Sequence, residues 1–271
     1  MKKLMKCVVV AAALAAAPAY AGEAPVRNWN GVYVGANIGG GWGSNSVGYA
    51  PNDPQAVNLF GAGGKPPPAA FDFSGVLGGV QVGYNHQLSS AWLIGVEADF
   101  DGSGVSGSGS TSGVFAPYYT APFNAPVQQR LDWFGTLRAR LGYLPTNNLL
   151  VYGTAGLAYG RVVQSGSWDT NTPFAFGGGA YDVNCFGGNP SCLAGSSSRV
   201  ATGWTAGAGL EYAVLPDWTL RAEYLHVSLA GGSTTETVLG DTAGALPSSF
   251  NAAFGRISLN TARIGLSYQF R

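Results

Sequence analysis

Charge is scarce in this chain: of 271 residues only 10% are Asp, Glu, Lys or Arg, where about a quarter is usual. The 14 cationic and 14 acidic side chains balance and no basic run occurs, which removes the electrostatic footprint of a nucleic-acid binder. Two His and three Cys leave little material for a metal site. No stretch beyond the N-terminus reaches 18 apolar residues, so a transmembrane helix is excluded. Most enzyme classes lose ground on these absences. What is abundant is glycine, 42 residues, with 7 Trp, 13 Tyr and 13 Phe.

Lys2, Lys3 and Lys6 precede an apolar run from Cys7 to Ala17, and Ala19-Tyr20-Ala21 makes a small-x-small site. Together they predict a secretory signal peptide over residues 1–21, with the mature domain over 22–271. Its apolar run is too short to span a bilayer. Removing the three lysines leaves 11 cationic side chains against 14 acidic, a net −3, and Lys65 is then the last lysine. Cys7 leaves with the signal. The exported chain keeps an even pair, Cys185 and Cys192, in a compartment where disulfides persist, and a small disulfide-closed loop is expected there.

Period-2 alternation dominates the remainder. Trp92, Ile94, Val96, Ala98 and Phe100 alternate with Gly95, Glu97, Asp99 and Asp101. Leu131, Trp133, Leu137, Ala139, Leu141 and Tyr143 share one face, and Asp132, Thr136, Arg138 and Arg140 share the other. Trp218, Leu220, Ala222 and Tyr224 alternate with Thr219, Arg221 and Glu223; Ala262, Ile264, Leu266, Tyr268 and Phe270 alternate with Thr261, Arg263, Gly265, Ser267 and Gln269. A soluble sandwich would place the apolar face inward, but its strands usually run about five or six residues. Strands of about 9 to 11 residues cross a bilayer when tilted, and there the polarity inverts, with apolar side chains toward lipid and charges toward the lumen.

Connection lengths favour the second arrangement. Eight strands are expected, at roughly 29–43, 73–88, 91–104, 129–144, 149–164, 199–214, 218–230 and 256–270. Short links at Ser89-Ser90, Pro145 to Asn148 and Leu215 to Asp217 alternate strictly with long Gly/Ser/Pro-rich segments such as Gly61 to Pro68 and Gly102 to Gly113, which read as mobile surface loops. Short periplasmic turns and long extracellular loops are the habit of outer-membrane barrels. The fold class expected is therefore all-β: an eight-stranded antiparallel up-and-down transmembrane barrel.

Aromatics fall at the strand ends. Trp133 and Tyr143 lie on one face, about 23 Å apart along the membrane normal at about 3.3 Å per residue and a tilt near 45°. Tyr84, Trp92, Tyr143, Tyr212 and Trp218 are expected to ring the periplasmic interface, and Trp42, Trp133 and Trp204 the outer one; Tyr268 and Phe270 on the last strand complete the girdle. On 149–164 two apolar sets compete for the lipid face, one with Leu149, Val151, Ala155, Leu157 and Tyr159, the other with Leu150, Tyr152 and Ala158.

Several segments now carry a specific resemblance. Trp29-Asn30-Gly31-Val32-Tyr33-Val34-Gly35, Gly79 to Asn85, Leu137 to Tyr143, Val151 to Ala158, Trp204 to Tyr212 and Arg221 to Leu225 resemble the opacity-type outer-membrane proteins. They are most similar to the RopB and outer-membrane immunogenic protein family of alphaproteobacteria. The resemblance covers the strands and not the loops. It implies an eight-stranded surface-antigen barrel serving envelope integrity, loosely described as porin-like. A barrel of this kind is expected to meet outer-membrane lipid and lipopolysaccharide. Such chains commonly end on an aromatic that the assembly machinery recognises in the C-terminal strand; here Arg271 follows Phe270.

Alternation points Glu97, Asp99, Asp132, Arg138, Arg140, Glu211, Arg221, Glu223 and Arg263 into the lumen. An eight-stranded barrel is just wide enough for side chains to fill, so these charges are expected to pair and occlude it, with a narrow passive channel as the alternative. His226 and Ser228 stand two apart on one strand face near the outer rim, a spacing that resembles lipid A deacylase barrels, with Glu236 as a candidate orienter. A rim histidine and a strand-end serine explain the same residues. Gly61 to Lys65 lacks the Ser/Thr and spacing of a P-loop. The expectation is a non-enzymatic, monomeric outer-membrane protein without cofactor or nucleic-acid partner, whose loops contact host or phage.

Overall fold

The computed structural model describes residues 28–59, 65–114, 122–169, 174–176, 181–183, 191–238 and 249–270. The signal segment, Cys185, the side chain of Cys192 and Arg271 lie outside them. The strands are β1 Gly31–Pro51, β2 Ala69–Gln87, β3 Trp92–Val114, β4 Pro122–Thr146, β5 Leu149–Asp169, the short β6 Phe174–Phe176 and β7 Tyr181–Val183, β8 Ser191–Ala213, β9 Trp218–Leu229, β10 Gly232–Val238, β11 Ser249–Phe254 and β12 Ile257–Gln269. One short helix, α1 Pro54–Leu59, follows β1; Asp53 caps it by accepting from the Ala56 amide at 2.8 Å.

Eight of these strands close into an antiparallel ring, β1-β2-β3-β4-β5-β8-β9-β12, with β12 hydrogen-bonded back to β1. Closure leaves no unpaired edge, the condition for a sheet to sit in lipid. The turns at one end are tight. Leu88 and Ser89 amides both donate to Trp92 O, at 2.8 and 3.2 Å; Asn147-Asn148 joins β4 to β5; and Trp218 donates to Leu215 O at 3.3 Å.

β9 and β12 stop at Leu229 and Ile257, their last register pair, and the hairpin β10–β11 resumes at Gly232 and Phe254. β10 then pairs with β8 and β11 with β1. The ring therefore continues past the break with β10 and β11 in the places of β9 and β12. Gly102 to Gly113, expected as a mobile loop, is instead the outer part of β3, paired to Phe123–Trp133 of β4. Ser/Gly composition disfavours strand in isolation, but two flanking partners override so weak a preference.

Outward side chains of the turn-proximal half are apolar and exposed, with Val76 at 73% and Ile38 at 64%. A continuous belt of this kind belongs in hydrocarbon, not water. On β5 the outward set is Val151, Ala155, Leu157 and Tyr159, while Leu150, Tyr152 and Ala158 point inward and are buried. Beyond the belt the polarity reverses. Phe71, Phe73, Val127, Leu131, Trp168 and Phe250 belong to one buried cluster inside the wall, and Ser106, Ser108, Gln128 and Ser196 face out.

Candidate functional site

Strand register sets the first contacts inside the barrel. Glu97 stands opposite Arg138, Asp99 opposite Thr136, Glu211 opposite Arg221 and Glu223 opposite Arg263, so inward residues on neighbouring strands meet as opposite charges or as donor and acceptor. Longer reaches cross the lumen. Arg138 donates to Glu97, to Asp99 at 2.7 Å and to Glu223 at 2.9 Å. Arg221 pairs with Glu97 and, at 2.9 Å, with Glu211. Arg140 binds Glu211 at 2.7 Å, and Arg263 binds Asp99 at 2.9 Å, Asp101 at 2.7 Å and Glu223 at 2.6 Å. Every one of these side chains is at most 4% exposed.

Four arginines thus meet five carboxylates, and eight of the nine expected lumen residues come together. Asp132 does not. A one-residue bulge in β4, between Leu131 and Trp133, turns both Asp132 and Trp133 outward and sends Leu131 into the interior, where it is 4% exposed. Asp132 instead meets Arg130 and Arg161 on the outer wall. Alternation read straight through the bulge inverts the faces beyond it.

The expected set also omitted members. Asp101 continues the inward row of Glu97 and Asp99, a signal plain in the alternation. Tyr33 donates to Glu97 at 2.5 Å and accepts from Arg140 at 2.6 Å. Tyr152 donates to Glu223 at 2.9 Å beneath the Arg140 guanidinium, which lies 3.9 Å from its ring centroid. Each ring occupies space that only glycine leaves: a Cβ on Gly83 would lie 2.3 Å from Tyr33, and one on Gly209 2.5 Å from Tyr152. Toward the turns, Trp29 seals the interior, donating to Asn147 O at 3.1 Å and clustering with Leu93, Leu144, Leu150 and Tyr152.

The girdle residues lie on the outer surface at two levels. Near the turns Trp92 meets Tyr143 at 5.2 Å, Trp218 meets Tyr268 at 5.2 Å and Tyr268 meets Phe270 at 5.1 Å; Tyr84 and Tyr212 are exposed on neighbouring strands. At the far level Trp42 contacts Tyr224, Trp133 contacts Phe100 and Tyr159, and Trp204 contacts His226.

Among the described residues no carboxylate is bonded to His226. His226 Nδ1 lies 3.0 Å from Asn260 Oδ1, which also accepts from Tyr224 at 2.7 Å. Glu236 lies inside the outer wall, fully buried, its carboxylate where a Cβ on Gly166 would fall within 2.1 Å. Burial pushes that carboxyl up to about 7, and the nearby Asp169 adds to the effect. Among the described residues no cluster of three or more His, Cys, Asp or Glu is arranged to hold a metal ion.

A closed ring of antiparallel strands, an apolar outer belt between two aromatic levels and a polar interior define an outer-membrane β-barrel. The chain belongs to the outer membrane protein beta-barrel domain family, whose model matches residues 7–270, and its place is the outer membrane. It is 34% identical over 248 residues to the 31 kDa outer-membrane immunogenic protein of Brucella melitensis, covering 90% of this chain and 84% of that protein. A 22 kDa outer membrane protein of Rhizobium leguminosarum is 30% identical over 207 residues, or 75% of this chain and 67% of the relative. Among solved structures, OprG of Pseudomonas aeruginosa aligns over 90% of this chain and 99% of its own, at 11% identity and a TM-score of 0.44.

Proposed function

We propose that this is a non-enzymatic surface protein of the outer membrane, closed to solute through its lumen, that supports envelope integrity and presents its outer segments to other cells, phage or host. The observation that carries the reading is the lumen cross-section, where four buried guanidiniums are bonded to five buried carboxylates between the Trp29 seal and the apolar outer core. Charges so placed must be compensated or pay heavily in desolvation, and compensation holds each side chain across the passage. A surface role is supported by the immunogenic naming of the Brucella relative. A hydrolytic role lacks support from the His226 surroundings, since its ring is engaged by an amide rather than a carboxylate.

Single-channel recording on the refolded full chain tests the closed lumen. No steady conductance steps are expected. Large, steady steps altered by the double replacement Arg138→Ala, Arg140→Ala would establish a narrow porin instead. Deleting the gene and scoring detergent sensitivity beside host-cell binding separates the envelope role from adhesion.

A further inference from the structure

On the outer wall, directly beyond the aromatic level of Phe100, Trp133 and Tyr159, two arginines stand on neighbouring strands. Arg161 lies in register with Trp133, and Arg130 precedes the β4 bulge. The bulge delivers Asp132 between them. Asp132 Oδ1 takes the Arg130 Nε–H at 2.5 Å, and Oδ2 lies 3.7 Å from Arg161 Nε, which also donates to Ser198 Oγ at 3.0 Å. Both guanidiniums are therefore anchored by the Nε edge. Their terminal NH2 groups make no hydrogen bond with other described residues, and the side chains are 60% and 52% exposed.

An exposed ion pair contributes little to a fold, so stability gives little reason for two arginines fixed in this manner. Geometry gives a better one. Two residues beyond Tyr159 along a tilted strand is about 5 Å outward of the aromatic layer, the depth of lipid headgroups rather than of acyl chains. The trio carries net positive charge, and arginine's planar fork matches phosphate oxygens in bidentate fashion. Beneath it, Phe100 and Trp133 at 5.4 Å and Trp133 and Tyr159 at 6.2 Å offer a ringed surface for the chains of the same molecule.

We infer that Arg130 and Arg161, positioned by Asp132, form a binding site for the phosphoryl headgroup of an outer-leaflet lipid, seated with its acyl chains on Phe100, Trp133 and Tyr159. The inference rests on the bilayer placement of the aromatic levels and is independent of whether the lumen conducts.

Native mass spectrometry of the refolded full chain in detergent tests it, with bisphosphorylated lipid A and its dephosphorylated form as probes. The phosphorylated form is expected to be retained at least ten-fold more tightly, and the double replacement Arg130→Gln, Arg161→Gln to abolish that preference while the folded barrel's gel mobility stays. Should the double variant fail to fold, Arg130→Gln alone is expected to weaken the preference several-fold. Equal retention of both lipids, or a preference that survives the variants, would overturn the site. Competition by millimolar inorganic phosphate separates the sources: persistence of the lipid complex supports a headgroup held with its chains, and full displacement would overturn the lipid assignment in favour of a free-anion site. Conductance recorded on the same variants is expected to match the unmodified protein, so a failure here and a failure of the closed-lumen reading remain distinguishable.

Discussion

The barrel's two halves invert one another. Within the apolar belt β4 turns Leu137, Ala139 and Leu141 outward and Arg138 and Arg140 inward; beyond the bulge the same strand turns Phe123, Ala125, Val127 and Leu131 inward and Gln128 and Arg130 outward. Phe123, Ala125, Val127, Leu131, Leu137, Ala139 and Leu141 share one parity, whereas Phe134 and Leu144 take the other and are buried inside. A single extra residue at Asp132 moves the first set from the outer face to the inner one. The lesson is that solvent, not pattern, decides polarity: lipid surrounds one half and water the other, and each half buries whatever its surroundings reject.

The sharpest way to break this comparison is to unbalance the polar interior. Arg138→Ala leaves Glu97, Asp99 and Glu223 short of a partner, and removing one member of a buried ion network costs about 3 to 5 kcal/mol. Urea titration of the folded gel species is expected to shift accordingly, whereas an unchanged midpoint would mean water already compensates the lumen. Next come two charge insertions on the outer face of one strand. Leu137→Lys is expected to cost about 2 to 4 kcal/mol, as for a cation at mid-bilayer depth. Gln128→Lys, beyond the bulge, is expected to stay within about 0.5 kcal/mol. Equal penalties in the same titration would erase the boundary between the halves.

A pH series sharpens the outer half. Glu236 titrates near 4.5 when unfolded and near 7 when buried. Its folded pKa is raised, so the folded state holds the proton more tightly between these values. Stability is therefore full below about pH 4.5 and falls as pH rises through about 7, by up to about 3 kcal/mol. Protease protection of β10 and β11 at pH 5 and pH 8 is expected to show the loss, and Glu236→Gln to flatten it. A profile unchanged by the substitution would place the pH dependence elsewhere.

Much of the membrane half was legible because lipid enforces strict alternation. The inward rows of Glu97 and Asp99, Arg138 and Arg140, and Arg221 and Glu223 follow from period 2 alone, as do the turns at Ser89-Ser90 and Leu215 to Asp217. Asp132 was not legible, since a bulge needs no marked residue and becomes visible only through the partner strand's register. Tyr33 and Tyr152 were hidden for a related reason: their role depends on Gly83 and Gly209 lying across from them, a pairing between strands rather than along one. The outer strand extensions escaped because their Ser/Gly composition reads as loop until Gln128–Asn124 supplies the ladder opposite Ser108–Ser112.

Spin labels on three cysteine substitutions along β4, scored for oxygen against nickel-chelate accessibility in bilayers, test the inversion most directly. A label at Leu137 is expected to be open to oxygen and closed to nickel, one at Gln128 the reverse, and one at Leu131 shielded from both. Nickel access at Leu137, or oxygen access at Leu131 equal to that at Leu137, would contradict a barrel whose apolar side chains change faces at Asp132.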